Sequence, residues 1–96
     1  MATTPSLPKT LLIDGITWKV TEVDEHAFDD FATCGDQCSI TQEIRINNSM
    51  TQEMKEKVLF HEIGHCLNGE KEHEEIELEG NAWYRTLKTN NLLNFF

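Results

Sequence analysis

The pentapeptide at residues 61–65, HEIGH, constrains the fold of this chain more than any other stretch. On an α-helix, positions i and i+4 lie one above the other on the same face, so His61 and His65 can reach one ion. Glu62 is rotated by about 100° around the helix axis, which places it beside such an ion rather than beneath it. The spacing predicts a zinc-binding helix in which Glu62 takes a proton from water at the metal.

The chain is short and strongly acidic. Its 96 residues predict one small domain with a modest core. Eight basic residues stand against 17 acidic ones, which gives a formal net charge of −9. Because nucleic-acid phosphates and anionic membrane surfaces both require Lys and Arg, we expect neither a nucleic-acid partner nor a membrane partner.

The sequence carries no sign of export. It begins with no basic segment followed by an apolar run, and it contains no apolar stretch long enough to span a bilayer. The cysteines are odd in number, which fits reduced thiols better than a disulfide framework; they are Cys34, Cys38 and Cys66. These features predict a cytoplasmic protein, and we expect it to be a monomer.

Residues 1–9 lack periodicity and are predicted to form a flexible tail, with one domain over residues 10–96. Within residues 10–23, the dipeptide Asp14-Gly15 separates two runs of β-prone residues and predicts a two-residue hairpin turn. The second strand of this hairpin alternates, and its predicted inward-facing residues are Ile16, Trp18 and Val20.

The middle of the chain predicts a loop and then a third strand. Residues 24–37 have no clean period and are predicted to form a loop with one helical turn. Residues 39–47 alternate again, with a predicted apolar face of Ile40, Ile44 and Ile46. The sequence therefore predicts a sheet of about three antiparallel strands.

Two helices are predicted to follow the sheet, which makes the fold class α+β. Ser49 and Gln52 have capping-box spacing, and they predict a first helix from Met50 to Asn68 that contains the histidine pair. A second helix is predicted to end near Asn90. Its predicted buried face is Ile76, Gly80, Trp83 and Leu87.

A catalytic zinc usually takes three protein ligands, so the second helix must supply the third. Glu77 and Asn81 lie at i and i+4 and offer a ligand together with an amide that can orient a histidine. Glu79 is the next candidate ligand, and His73 is the third. A metzincin would instead place its third histidine where this chain has Lys71.

HEIGH followed by Glu77-x-x-Gly80-Asn81-x-Trp83 resembles the gluzincin metallopeptidases, and more closely the minimal zincins and ImmA/IrrE-type peptidases of phages and mobile elements. The resemblance covers residues 39–91 and implies a small zincin-like domain in which residues 39–47 pair with an extended substrate. One departure is Gly80, where these peptidases usually have Ala.

The resemblance also implies residue roles. His61, His65 and Glu77 would hold zinc, with Glu62 as general base and Asn81 orienting a histidine. The Tyr or His with which larger gluzincins stabilise the oxyanion has no assured counterpart in this sequence; the candidates are Tyr84 and His26.

The function predicted from these residues is that of a zinc-dependent metalloendopeptidase, a hydrolase acting on a protein or peptide in extended form. The alternative is a metal-binding interaction or regulatory protein of phage or mobile-element origin that is catalytically weak or inactive. The candidate partners are therefore an extended protein or peptide substrate, which could itself be a regulatory protein. A further hypothesis is that the apolar end at residues 92–96 covers the cleft.

Overall fold

A four-stranded sheet and two helices make up the computed structural model, which describes residues 7–28 and 33–93. The strands are β1 (Thr10–Ile13), β2 (Ile16–Val23), β3 (Gly35–Cys38) and β4 (Glu43–Asn47), and the helices are α1 (Gln52–Leu67) and α2 (His73–Thr89). The strand order is β1-β2-β4-β3. Within the described residues, no helix has the length and apolar character needed to cross a bilayer.

The predicted hairpin at the start of the sheet is confirmed. Ile13 pairs with Ile16 across a two-residue turn. Both turn residues have positive φ, 49° for Asp14 and 81° for Gly15. This backbone matches the right-handed twist of the two strands, which explains why the Asp-Gly dipeptide fixes their register.

The prediction of about three antiparallel strands is wrong in two respects: the sheet has four strands, and one of its three pairings is parallel. The segment 39–47 is not one strand, because the chain turns at residues 39–42 and Gln42 adopts a left-handed φ of 53°. β3 precedes this turn and pairs antiparallel with β4, whereas β4 pairs parallel with β2. Ile40 lies in the turn and is 93% exposed, so it does not share the apolar face of β4.

The segment predicted as a loop, residues 24–37, contains a 3₁₀ turn at Glu25–Ala27 and then β3 up to Gln37. Residues 29–32 of this loop lie outside the described residues. The helical turn was therefore predicted correctly, and the strand was not.

The core lies between the sheet and α1. Its buried cluster consists of Leu7, Ile13, Trp18, Val20, Ile44, Ile46 and Leu59. Trp18 and Val20 face inward as predicted, while Ile16, next to the turn, is half exposed. Residues 1–6 of the predicted tail lie outside the described part of the chain, but Leu7 is buried and therefore belongs to the packed domain.

The first helix forms close to its predicted limits but begins with a different cap. The Thr51 hydroxyl accepts a hydrogen bond from the backbone N–H of Met54 at 3.3 Å, which satisfies one free donor of the first turn. Ser49 instead donates its hydroxyl to Oδ1 of Asn47 at 2.7 Å. The predicted capping box of Ser49 and Gln52 is therefore wrong.

The second helix packs along α1 and buries a narrow stripe of Ile76, Gly80 and Tyr84. This stripe follows i, i+4 and i+8, whereas the predicted stripe passed through Trp83. Trp83 is 62% exposed because, within the described residues, α2 packs mainly against α1 and this second row of side chains is left uncovered. Leu92, in the predicted apolar end, is also exposed, and residues 94–96 lie outside the described residues.

Two glycines lie where the helices meet, and they differ in the space around them. A Cβ added to Gly64 would lie 2.7 Å from Cγ2 of Ile76, far inside normal contact distance. A Cβ added to Gly80 would lie 3.5 Å from Cα of His61, which is ordinary van der Waals contact. Gly64 is therefore required for the helix contact, and Gly80 is not.

We expect alanine to have opposite effects at these two positions. Gly64→Ala should lower the free energy of unfolding by about 1–3 kcal/mol, because the branched Ile76 side chain must shift. Gly80→Ala should raise it by up to about 1 kcal/mol, because alanine favours the helix and fits the space. Urea unfolding of the two variants measures both effects. Equal stability of the two variants would contradict this packing of α2 on α1.

Candidate metal centre

Three imidazole rings meet where α1 ends and α2 begins. The Nε2 atoms of His61 and His65 are 3.0 Å apart. His73 joins them, with its ring centroid 4.5 Å from that of His61 and 5.4 Å from that of His65. One ring nitrogen from each histidine lies within 4.8 Å of the others, so the three can face one common point.

The chain reversal between the helices produces this cluster. α1 ends at Leu67 and α2 starts at His73, so residues 68–72 return the chain directly. The first turn of α2 therefore lies beside the last turns of α1, where the i, i+4 histidine pair is located. His73 meets the pair because it is the first residue of α2.

The surroundings favour the neutral imidazole, which is the form that binds metals. Burial lowers the pKa of His61, and the charges of His65 and His73 lower it further, while the carboxylate of Glu77 acts weakly in the opposite direction. Burial and the charge of His73 also lower the pKa of His65. Both histidines of the HEIGH helix are thus held ready to donate a nitrogen lone pair.

Glu62 is the buried carboxyl group of this site. Only 6% of the residue is exposed. Burial, with a smaller contribution from the charge of Asp36, raises the pKa of Glu62 to about 7. Asp36 itself is bound by Arg45, whose Nε donates to Oδ1 at 2.8 Å. A carboxyl group with a pKa near neutrality is suited to general acid–base catalysis.

His61, Glu62 and His73 line a cavity of about 590 Å³. One side of it is a stripe of α2 with a side chain every four residues: His73, Glu77, Asn81 and Arg85. The opposite sides are formed by α1 and by the start of β3, through Met54, Lys57, Val58, His61 and Glu62 and through Thr33, Cys34 and Gly35.

The sheet borders the cavity through β3. β4 pairs with β2 on one side and with β3 on the other. The part of segment 39–47 that forms β4 was predicted to pair with substrate, but both of its edges are already paired. β3 is the outer strand in the described sheet. At Gly35 it approaches α1 so closely that a Cβ would lie 2.8 Å from Cγ1 of Val58.

Asn47 fixes the segment that leads into β3. It is buried, its side-chain amide donates to the carbonyl of Thr33 at 3.1 Å, and its backbone N–H donates to the carbonyl of Cys34 at 2.8 Å. Its Oδ1 accepts hydrogen bonds from Ser49 at the approach to α1. One residue therefore ties the rim of the cavity to the chain that enters the HEIGH helix.

The structure brings some predicted site residues together and leaves others apart. Glu77 and Asn81 line the cavity with His61 and Glu62, although the Glu77 carboxylate is not part of the group of three imidazoles. Glu79, the alternative ligand, instead accepts hydrogen bonds from Lys71 Nζ at 2.7 and 2.9 Å.

The two oxyanion candidates lie elsewhere. Tyr84 is buried and donates its hydroxyl to Glu56 at 2.7 Å. His26 is exposed in the 3₁₀ turn, with Nε2 3.9 Å from carboxylate oxygens of Asp24 and Glu25.

Sequence reasoning ranked His73 only third among the candidate ligands, and it missed the presence of Arg85 in the cavity. A signal for both was available, since extending the Glu77–Asn81 spacing by four residues in each direction reaches them. No comparable signal identified the start of β3, because its position depends on the pairing with β4.

The donor set fits a zinc ion. Three neutral imidazole nitrogens are ligands that zinc prefers, and two nitrogens bound to one tetrahedral zinc lie about 3.3 Å apart. The 3.0 Å separation of the His61 and His65 nitrogens is close to this distance. The type and spacing of these donors are therefore compatible with one shared ion.

Comparison with known proteins gives one family. The Peptidase_M78 model, described as an IrrE N-terminal-like domain, matches residues 17–89. The matched range runs from β2 to the end of α2 and includes every residue of the cavity. Neither the curated proteins nor the solved structures give a significant match.

A second buried carboxyl group lies six residues before Glu62 on the same helix. Glu56 is 1% exposed and accepts hydrogen bonds from the Tyr84 hydroxyl, from Lys88 Nζ at 3.1 Å and from the Gln52 amide at 3.2 Å. Burial, followed by the bond to Glu56, raises the pKa of Tyr84 above its usual range. This network joins α1 to α2 and engages the Tyr84 hydroxyl.

Tyr84→Phe should therefore act on stability rather than on catalysis. Removing one donor from the buried Glu56 is expected to lower the free energy of unfolding by about 1–3 kcal/mol, measured by urea unfolding. Metal binding by the folded protein should not change. A variant as stable as wild type that loses hydrolysis would instead support the oxyanion role predicted from the sequence.

Proposed function

The chain belongs to the IrrE N-terminal-like domain family, and from this membership we propose that it is a zinc-dependent metalloendopeptidase with Glu62 as general base. The observation that supports this most directly is a buried carboxyl group with a raised pKa that shares a cavity with two members of a cluster of three imidazoles. As ligands we propose His61 and His65 from α1 and Glu77 from α2.

The proposed mechanism assigns the proton transfers to Glu62. Zinc, when bound, supplies Lewis acidity that polarises the peptide carbonyl and makes water more acidic. Glu62 takes a proton from the attacking water, and its raised pKa allows it to pass the same proton to the leaving amine. Asn81, one turn after Glu77, is proposed to orient a ligand histidine through its amide.

The proposed substrate is an extended peptide that lies along β3. An outer strand can pair with a peptide through main-chain hydrogen bonds, and the residues leading into β3 line the cavity that contains Glu62. Arg85 and Lys57 are cationic groups of the same cavity and can stabilise negative charge on the substrate. The net charge of −9 disfavours strongly acidic substrates.

Glu62→Gln tests the general base. The amide keeps the shape of the side chain but cannot accept the proton, so we expect hydrolysis of an unfolded protein substrate to fall by about 10²–10⁴-fold. The zinc content should stay at the wild-type level, because Glu62 is not a proposed ligand. Peptide release and elemental analysis of the same preparations measure the two properties.

Glu74→Gln provides a matched control, since it makes the same chemical change at an exposed position of α2. Its rate should equal that of wild type. If zinc-loaded wild-type protein leaves unfolded substrates intact under all conditions tested, the peptidase proposal fails.

The ligand set is tested by the zinc content of alanine variants. His61→Ala and Glu77→Ala should each lose zinc during dialysis, because each removes one proposed ligand. Glu79→Ala should retain it, because Glu79 binds Lys71 rather than lining the cavity. If Glu79→Ala lost zinc and Glu77→Ala retained it, Glu79 rather than Glu77 would be the third ligand.

A second candidate function is a metal-binding regulatory protein with little or no hydrolytic activity. It is favoured by the engagement of Tyr84 with Glu56, which leaves this oxyanion candidate outside the cavity. Under this hypothesis the alanine variants change the zinc content in the same way as predicted above. Wild type and Glu62→Gln, however, release the same small amount of peptide.

A further inference from the structure

We propose that His73 is an additional zinc ligand of this chain and closes the resting site against water. The proposal rests on the proposed function for the presence of the metal at His61 and His65. It goes further in two respects. It assigns the metal a ligand besides the HEIGH histidines and Glu77, and it gives that ligand a regulatory effect.

The geometry of the three rings is the first argument. A ring nitrogen of His73 lies within 4.8 Å of ring nitrogens from both histidines of α1. This convergence is not enforced by burial, since His73 is an exposed residue at the start of its helix. An exposed ring whose centroid lies 4.5 Å from that of His61 and 5.4 Å from that of His65 is well placed to share an ion with them.

The number of ligands is the second argument. His61, His65 and Glu77 would leave one tetrahedral position for water, as a catalytic site requires. His73 lies one helical turn before Glu77 and lines the same cavity, so both can approach the ion from α2. With His73 bound, the protein supplies four ligands, which is the coordination of closed structural sites.

The position of His73 in the fold also allows its side chain to move away from the ion. It is the first residue of α2, and the first backbone N–H groups of a helix make no hydrogen bonds within it. The first turn can therefore open locally while Ile76 and the rest of the helix contact stay in place. Glu77 belongs to the following turn and would remain as a ligand.

Imidazole nitrogen NMR of the whole chain tests the ligation directly. One equivalent of zinc is added to ¹⁵N-labelled protein, and the ring nitrogens of all four histidines are followed. We expect His61, His65 and His73 each to show one nitrogen shifted by metal binding, whereas His26 should be unchanged. Shifts of His61 and His65 without a shift of His73 would overturn this inference and leave the proposed function standing.

Zinc affinity and hydrolysis extend the test. His73→Ala should bind zinc at least about tenfold more weakly in competition with a chelator, the loss expected when a contributor to a metal site is removed. It should also hydrolyse an unfolded substrate faster than wild type when both are saturated with zinc. The control Glu74→Ala, at the exposed position next to His73 on α2, should change neither property.

The outcomes separate the two proposals. An unchanged affinity of His73→Ala overturns the ligand assignment, and a zinc-saturated rate at or below that of wild type overturns the closure of the site. Absence of any zinc-induced shift at His61 and His65 overturns the metal site itself, and with it the proposed function.

Discussion

The close contact between α1 and α2 is the constraint on which the site depends. Gly64 has no side chain, so Ile76 can lie directly against α1, and Gly80 passes close to the backbone of His61. These contacts fix both the distance and the rotation of α2. Since the cavity-lining stripe of α2 is offset from its buried stripe by one residue, the same packing directs His73 and Glu77 toward the histidines.

Two buried carboxyl groups on α1 show how the surroundings assign different roles to one residue type. Glu56 accepts hydrogen bonds from three donors and joins the helices. Glu62 is buried at the cavity, near the negative charge of Asp36, and its pKa is raised to about 7. A carboxyl group engaged by several donors contributes to structure, whereas one that ionises near neutrality can exchange protons with a substrate.

Local chemistry made the hairpin and the HEIGH helix predictable. Asp14-Gly15 suits positive φ, and the apolar period of α1 follows from its packing on the sheet. The order of the strands was not predictable in this way. β3 has a polar sequence with no alternation, and it is recognised as a strand only through its pairing with β4. The exposure of Trp83 likewise depends on how many elements cover α2.

The candidate site shows the same division between local and long-range information. His61 and His65 are fixed by spacing on one helix, so the sequence identified them. The neighbours they meet on α2 depend on how the two helices pack, because the contact of Ile76 with Gly64 sets which face of α2 is turned toward the pair. The first residue of α2 is His73, and it lies beside the pair. The side chains that complete the site therefore depend on contacts between the two helices, which spacing within one helix does not reveal.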